Sequence, residues 1–258
     1  MISRERRQRI VRAVQDHGSA SVLDLADALE VSQSTIRRDL EQLDRNGELV
    51  RTYGGALSTP HETVEDAGTT ATEAGFDLAT TDPDRARIAR TAADLVPDGA
   101  VILCDIGTTT GLLARHLHGR DITVMTSNLA IYEELKDDEQ VRLVLLGGVV
   151  RRNYQSLVGS LTEHALTQVS ADVVFLSCTG VRSNGHVVDN MAVEAPIKQA
   201  MIRAADQVVL LATPAKFPGT GALRLCSLGD VDTLVTTSDA PEASLTQCRE
   251  SGGEVVLA

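Results

Sequence analysis

Tryptophan is absent from this 258-residue chain, and Phe and Tyr together supply six residues. No apolar run approaches the ~20 residues that span a bilayer, which excludes a membrane-spanning helix. The start, Met1-Ile2-Ser3-Arg4-Glu5-Arg6-Arg7, has no apolar stretch behind its charges, so no signal peptide is expected and the predicted location is the cytoplasm. Cysteine is sparse. Cys104, Cys178, Cys226 and Cys248 form no C-x-x-C pair and lack His at zinc-finger spacing, so the expectation is reduced thiols in or beside a core, with no metal site and no cofactor. Lysine is scarcer still: Lys136, Lys198 and Lys216 are the only three among 24 basic residues.

What is abundant is acid, with 36 Asp and Glu giving a net charge of −12. An acidic, Lys-poor, aromatic-poor composition suits a protein that stays soluble in concentrated salt, as in halophiles; a GC-rich genome, which favours Arg codons, is the alternative source. The charge is unevenly placed. Residues 1–57 hold nine Arg against nine acids, and the remainder holds 15 basic to 27 acidic residues. A polyanion can therefore dock on the N-terminal segment without strong general repulsion.

In that segment, Ile10, Val11 and Val14 mark one buried stripe of a helix over 3–16, ended by Gly18. Val22, Leu25, Ala26 and Leu29 predict a second helix from Ser21, which can cap it. Ser32 is a natural N-cap for a third helix over 33–46, closed by Gly47. On it Ile36, Leu40 and Leu43 share a face, Ser34, Arg37, Arg38 and Glu41 point away, and Thr35 lies at the flank. A helix start rich in hydroxyls and followed by two Arg suits the DNA major groove, where Ser32, Gln33, Ser34, Thr35, Arg37 and Arg38 can meet phosphates and base edges. Leu49 to Leu57 reads as a strand and tight turn, a wing with Arg51 and Tyr53 available for backbone contacts. Helical spacing alone would fit a bundle with two solvated arginines; the turn and the Gly-Gly hairpin favour a DNA-binding winged helix-turn-helix.

Residues 58–82 are rich in Thr, Ala, Glu and Asp and read as an acidic linker whose charge disfavours lying along DNA. Beyond it, helical stretches alternate with the apolar runs Val101–Cys104, Ile122–Met125, Val141–Leu146, Val173–Leu176, Val208–Leu211, Leu234–Val235 and Val255–Leu257. Such alternation predicts an α/β domain over 83–258 with a mostly parallel sheet covered on both faces. Ligands of such sheets bind at the carboxyl ends of the strands. Polar residues fall there: Asp105, Gly107, Thr108, Thr109 and Thr110 after the first run, Thr126, Ser127 and Asn128 after the second, Gly147, Gly148, Arg151 and Arg152 after the third. Glu194 and Lys198 lie four apart on a predicted helix, and Lys216 follows the fifth run. Glu and Lys at that spacing are commonly a surface ion pair, and Thr-rich turns are commonly caps. Taken together, with two of three lysines near these strand ends, the pattern favours a phosphate-bearing ligand.

Ser32-Gln33-Ser34-Thr35-Ile36-Arg37-Arg38-Asp39-Leu40, Leu43, Gly47, Leu49, Arg51 and Gly54-Gly55-Ala56 resemble the DNA-binding signature of the DeoR family of sugar-metabolism repressors. The family commonly has His before Gly-Gly-Ala, where Tyr53 stands here. Asp105-x-Gly107-Thr108-Thr109, Thr126-Ser127-Asn128, Leu146-Gly147-Gly148, Val158-Gly159, Gly185, Glu194-Ala195-x-x-Lys198 and Lys216 resemble the sensor domain of that family, which is similar in fold to ribose-5-phosphate isomerase and acyl-CoA transferases. The family usually has Asp three residues before the loop lysine, where Thr213 stands here. With the salt-adapted composition, the chain is similar to haloarchaeal regulators of the GlpR type. The resemblance implies a homo-oligomeric repressor of fructose, glucose or glycerol catabolism, whose affinity for an operator DNA duplex responds to a phosphorylated sugar or polyol bound at Asp105, Gly107, Thr108–Thr110, Thr126–Asn128, Gly147, Gly148, Arg151, Glu194, Lys198 and Lys216.

The alternative is a sugar-phosphate isomerase with an accessory DNA-binding domain. It needs a general base, for which Asp105 and Glu194 are the obvious carboxylates; Asp105 also reads as a loop-fixing acceptor. A recurrent fold is poor support for chemistry, so a non-enzymatic regulator is the expectation.

Overall fold

The structure, a computed structural model, describes residues 6–7, 9–11, 13–14, 19–29, 31–45, 49–51, 55–58 and 82–258. The chain divides into two compact units, Met1–Ala74 and Gly75–Ala258.

In the first unit the described residues between 6 and 14 are helical. Strand β1 (Ser19–Ser21) follows, then α1 (Val22–Ala28), α2 (Gln33–Arg45), β2 (Leu49–Arg51) and β3 (Gly55–Ser58). Ser21 Oγ accepts from the Asp24 N–H at 3.0 Å, the expected cap. The short strand β1 has no counterpart in the sequence reading; it pairs antiparallel with β3, which pairs with β2 in the order β1-β3-β2. Ile10, Val14, Leu25, Leu29, Ile36, Leu40, Leu43 and Leu49 form one buried cluster under these elements. Each contributes about 1.5–3 kcal/mol of burial, which fixes the axis of α2 against the rest. Gly18, Gly47 and Tyr53 lie outside the described residues, as does the expected linker between Ser58 and Asp82.

The second unit opens with α3 (Pro83–Asp94), capped by Asp82 accepting from the Asp84 and Arg85 N–H groups. Seven strands then build one parallel sheet: β4 (Val101–Cys104), β5 (Thr123–Thr126), β6 (Arg142–Leu145), β9 (Ala171–Ser177), β12 (Ala205–Leu211), β14 (Thr233–Thr236) and β15 (Glu254–Leu257). Their order is β15-β14-β12-β9-β4-β5-β6. Each corresponds to one of the seven apolar runs. Alternation splits the side chains between faces. Leu103, Val174, Leu176, Val208, Leu210 and Leu234 pack with α6 (Ser160–Leu166), α7 (Ala195–Arg203) and α8 (Glu242–Glu250). Ile102, Cys104, Val173, Phe175, Val209 and Val235 pack with α3, α4 (Thr108–Ala114) and α5 (Leu129–Leu135). A sheet covered on both faces is why the runs are continuously apolar.

Two small antiparallel sheets stand apart from this pattern. Strands β7 (Val149–Arg151) and β8 (Ser156–Val158) form a hairpin, and β10 (Gly180–Val181), β11 (His186–Asp189) and β13 (Leu223–Ser227) form the other. All four cysteines are free and buried. No helix among the described residues is long and apolar enough to cross a membrane.

Candidate functional site

Helix α2 shows its polar face as the spacing predicts. Ile36, Leu40 and Leu43 are buried, while Ser32, Gln33, Ser34, Arg37 and Arg38 are exposed and Thr35 is half-buried. Ser32 Oγ accepts from the Thr35 N–H at 3.3 Å and lies 2.8 Å from the hydroxyls of both Ser34 and Thr35. The hydroxyl cluster thus caps the helix where its N–H groups are unsatisfied. Arg37 donates to Gln33 Oε1 one turn back, at 3.3 Å. Asp39, between Arg38 and Leu40, turns inward and pairs with Arg6 Nε at 2.6 Å. The hydrogen bond from Arg6 to Asp39 raises the Arg6 pKa. The backbone of Arg51 lies in β2, beside β3.

In the second unit the polar residues converge where the sheet changes direction. The chain runs from β4 outward to β5 and β6, then returns to place β9 on the other side of β4, so the order reverses between β4 and β9, where ligands of such sheets commonly bind. Asp105 follows β4 and Ser177 ends β9. Asp105 Oδ2 accepts from the Ser177 N–H at 3.0 Å and from its hydroxyl at 2.5 Å. A Cβ on Gly107 would lie 2.4 Å from Ser177 Oγ, which accounts for glycine at that place in the turn. Thr110 Oγ1 donates to the carbonyls of Asp105 and Gly107 at 2.7 Å each, folding the loop onto the start of α4. Thr108 and Thr109 are the first two residues of that helix.

Lys198 is buried beneath this loop. Its ammonium lies 3.0 Å from Asp105 Oδ2 and 3.0 Å from Asp189 Oδ2, and it donates to the Ser177 carbonyl at 3.1 Å. Burial pulls its pKa down, but Asp105, Asp189 and Glu194 raise it further, so it stays a cation. For Asp189, burial pushes the pKa up, and Lys198 with the Met191 and Asn190 N–H groups outweighs it, leaving a carboxylate below its ordinary range. Glu194 and Lys198, at surface-pair spacing, are in fact both buried. Glu194 stands at the N-cap of α7 and takes Arg151 as its partner, with the Arg151 guanidinium 4.0 Å above the Tyr154 ring. Burial raises the Glu194 pKa to about 7, against the pull of Lys198 and Arg151.

Of the remaining expected residues, Asn128 reaches this cluster, its side-chain amide donating to the Asp105 carbonyl at 3.4 Å. Thr126 Oγ1 donates to the Cys104 carbonyl at 2.7 Å and accepts from the Asn128 N–H at 3.0 Å. Asn128 caps α5 by accepting from the Ala130 N–H. Gly147 accepts from Thr162 Oγ1, and a Cβ on Gly148 would lie 2.8 Å from the Val158 carbonyl, so the hairpin requires a side-chain-free residue there. Lys216 is half-buried in a short 3-10 turn, and among the described residues its ammonium has no ion-pair partner. Burial lowers its pKa, and Arg85 and Lys198 lower it further, against the opposing pull of Cys178 and Asp189. Burial also pushes the neighbouring Cys178 thiol up to about 12, against Lys216 and Lys198, so it is no nucleophile at neutral pH.

Sequence reasoning missed Ser177 and Asp189, which with Asp105 surround Lys198. Ser177 directly follows the fourth apolar run, so the strand-end rule that found Asp105 also covers it. Asp189 ends a strand of a small antiparallel sheet and carried no comparable signal.

A DeoR-like helix-turn-helix domain matches residues 6–62, and a DeoR C terminal sensor domain matches residues 81–238. The chain belongs to the DeoR family. It is thus a DNA-binding transcription regulator with a C-terminal sensor domain. Relatives match along nearly all of it. The chain is 31% identical over 245 residues to the HTH-type transcriptional regulator YulB of Bacillus subtilis, covering 95% of this chain and 93% of that protein. It is 31% identical over 253 residues to the glycerol-3-phosphate regulon repressor of Haemophilus influenzae, covering 98% and 96%. It is 29% identical over 248 residues to the L-fucose operon activator of the same organism, covering 96% and 97%. Among solved structures, a probable sor operon regulator from Shigella flexneri has 14% identity and a TM-score of 0.42, covering 64% of this chain and 89% of that one. Ribose 5-phosphate isomerase A of Methanocaldococcus jannaschii has 17% identity and a TM-score of 0.40, covering 53% and 55%. These two are loose likenesses that bear on neither ligand nor activity.

Proposed function

We propose that this DeoR regulator represses sugar-catabolic genes (fructose, glucose or glycerol) and that a phosphorylated sugar or polyol controls its affinity for operator DNA. The observation that carries the ligand reading is Lys216, a half-buried cation with no ion-pair partner among the described residues and with other cations nearby. An anion brought to such a group is stabilised more than at an open surface. With Lys216 we assign Thr108, Thr109 and Thr110, the Thr126–Asn128 loop, Gly147, Gly148, Arg151, Glu194, Lys198 and Asp105 to the effector site. Ser32, Gln33, Ser34, Thr35, Arg37, Arg38, Arg51 and Tyr53 are the DNA-contacting residues, with 1–57 as the reading domain, 58–82 as linker and 83–258 as sensor. A two-fold operator requires at least a homodimer with matched half-site spacing. The ligand must favour one arrangement of that oligomer, or no change in DNA affinity follows. The acidic, Lys-poor composition supports a salt-rich cytoplasm as the working environment.

Fluorescence anisotropy on the full chain tests this, with labelled DNA from its own promoter and glycerol 3-phosphate, fructose 1-phosphate and the unphosphorylated parents as additives. The phosphorylated compound should shift the affinity, and Lys216→Ala or Thr108→Val should blunt that response while DNA binding persists. Equal responses to phosphorylated and unphosphorylated compounds would overturn the ligand class.

One observation favours a second reading. A buried carboxyl with a pKa of about 7, as at Glu194, is what an isomerase base requires. Against it, Glu194 is committed to Arg151, and Asp105 Oδ2 to Ser177 and Lys198. Turnover of ketose or aldose phosphates that Glu194→Gln abolishes would establish the enzyme.

A further inference from the structure

Arg151 and Glu194 are both more than nine-tenths buried, and each is the other's charged partner. They come from separate elements. Arg151 ends β7, and Glu194 precedes α7. The hairpin that carries Arg151 is fastened over the loop after β5. Arg151 pairs across the hairpin with Ser156, Ser156 bridges to Asn128, the Leu157 N–H donates to the Ser127 carbonyl at 2.8 Å, and the Leu129 N–H donates to the Gln155 carbonyl at 2.7 Å. Ser127 and Ser156 are fully buried, and their hydroxyls have no hydrogen-bond partner among the described residues. A guanidinium stacked on the Tyr154 ring keeps its in-plane N–H donors for oxygen acceptors. Carboxylate and phosphate oxygens both fit that fork.

We propose that Arg151 is an anion-receiving subsite for which Glu194 stands in, and that the dianionic head of a phosphate ester displaces Glu194 and takes Arg151, with the Ser127 and Ser156 hydroxyls as further donors. This rests on the reading of the second unit as a phosphate-ester sensor and adds a role to it: Glu194 is the ligand's competitor, not its partner. The groups facing Glu194 are Arg151 and Lys198, which favour its charge, and Asp189 and Asp105, which oppose it. Burial already raises its pKa to about 7. Losing Arg151 to an anion raises it further, so the displaced carboxyl takes a proton from solvent. Binding and proton uptake are therefore one event. The exchange also frees α7 from the hairpin, and α7 carries Lys198, which holds Asp105 and Asp189.

The probe is inorganic sulfate, which stays dianionic across the neutral range, titrated into the full chain by calorimetry in two buffers of different ionisation enthalpy. Wild-type protein should take up protons on binding sulfate above neutral pH, and its affinity should rise as pH falls through about 7. Glu194→Gln should bind sulfate roughly tenfold more tightly at alkaline pH, the size of one charge-assisted hydrogen bond no longer contested, and without proton uptake. Weaker or unchanged binding by Glu194→Gln, no proton uptake by wild type, or no sulfate binding by either protein overturns the proposal. The wild-type measurement stands even where the variant fails to fold. Failure of the broader reading looks different: sulfate exchange proceeds as described, but phosphate esters leave operator affinity unchanged.

Discussion

Lys198 Nζ lies 3.0 Å from Asp105 Oδ2, joining a helix to the loop after β4. The same nitrogen is 3.0 Å from Asp189, so one buried cation balances two buried carboxylates. Removing one partner of a buried ion pair costs far more than the pair itself contributes, because the remaining charge stays desolvated. Lys198→Met should therefore lower the stability of the second unit by about 3–5 kcal/mol. Urea unfolding followed by far-UV circular dichroism reads this, and a loss below about 1 kcal/mol would mean that the carboxylates find other partners.

Arg6 and Asp39 set up a different expectation. Asp39 lies between Arg38 and Leu40 on α2 but faces inward, 2.6 Å from Arg6. Asp39→Ala removes no exposed group from the reading face. It should nonetheless destabilise the first unit by about 1–3 kcal/mol and weaken operator binding through looser placement of α2. Wild-type operator affinity in this variant would show that the pair does not orient the helix.

Arg37→Ala and Arg38→Ala, both exposed on the same helix, should weaken operator binding by about 1–3 kcal/mol each where they touch base edges. Thermal stability of the second unit should not change. Gel-shift titrations with single-base operator variants distinguish a base contact, lost at one position, from a phosphate contact, lost uniformly.

The pH dependence of stability carries the signature of Glu194. Its pKa in the fold is about 7 against an ordinary 4.5, so the fold favours the protonated form. The stability it confers is present below about pH 4.5 and is lost as pH rises through about 7. Across that window the wild type should lose stability relative to Glu194→Gln, and parallel melting temperatures for the two proteins would refute the assignment. Asp189, whose pKa is lowered, acts in the opposite sense at acid pH and cancels in this comparison.

Salt gives a fifth expectation. With net charge −12, the chain gains little from general attraction to DNA. If it works in concentrated salt, operator binding should persist at molar potassium with a shallow salt slope, because base contacts carry the affinity. A steep slope with no binding at molar potassium would favour the GC-rich explanation of the Arg excess.

The seven apolar runs were legible because a strand buried on both faces favours apolar side chains throughout. Edges moved by a few residues where polar ends such as Thr126, Ser177 and Thr236 extend the pairing. The short strands β7, β8, β10 and β11 were not legible, since two to four residues are too few to show a periodicity. Asp105, Thr126 and Asn128 could be found from their place after a strand. That Lys198 is answered by Asp189 and Ser177, and Glu194 by Arg151, depends on elements distant in sequence, which no local pattern encodes.

The strand order has a consequence for how the sheet is made. Beginning at β4, each later strand joins an edge already present: β5 and β6 on one side, then β9, β12, β14 and β15 on the other. No strand has to be inserted between two that are already paired. The sheet can therefore grow in the order of synthesis, with one edge of β4 left open while β5 and β6 are added, until β9 covers it.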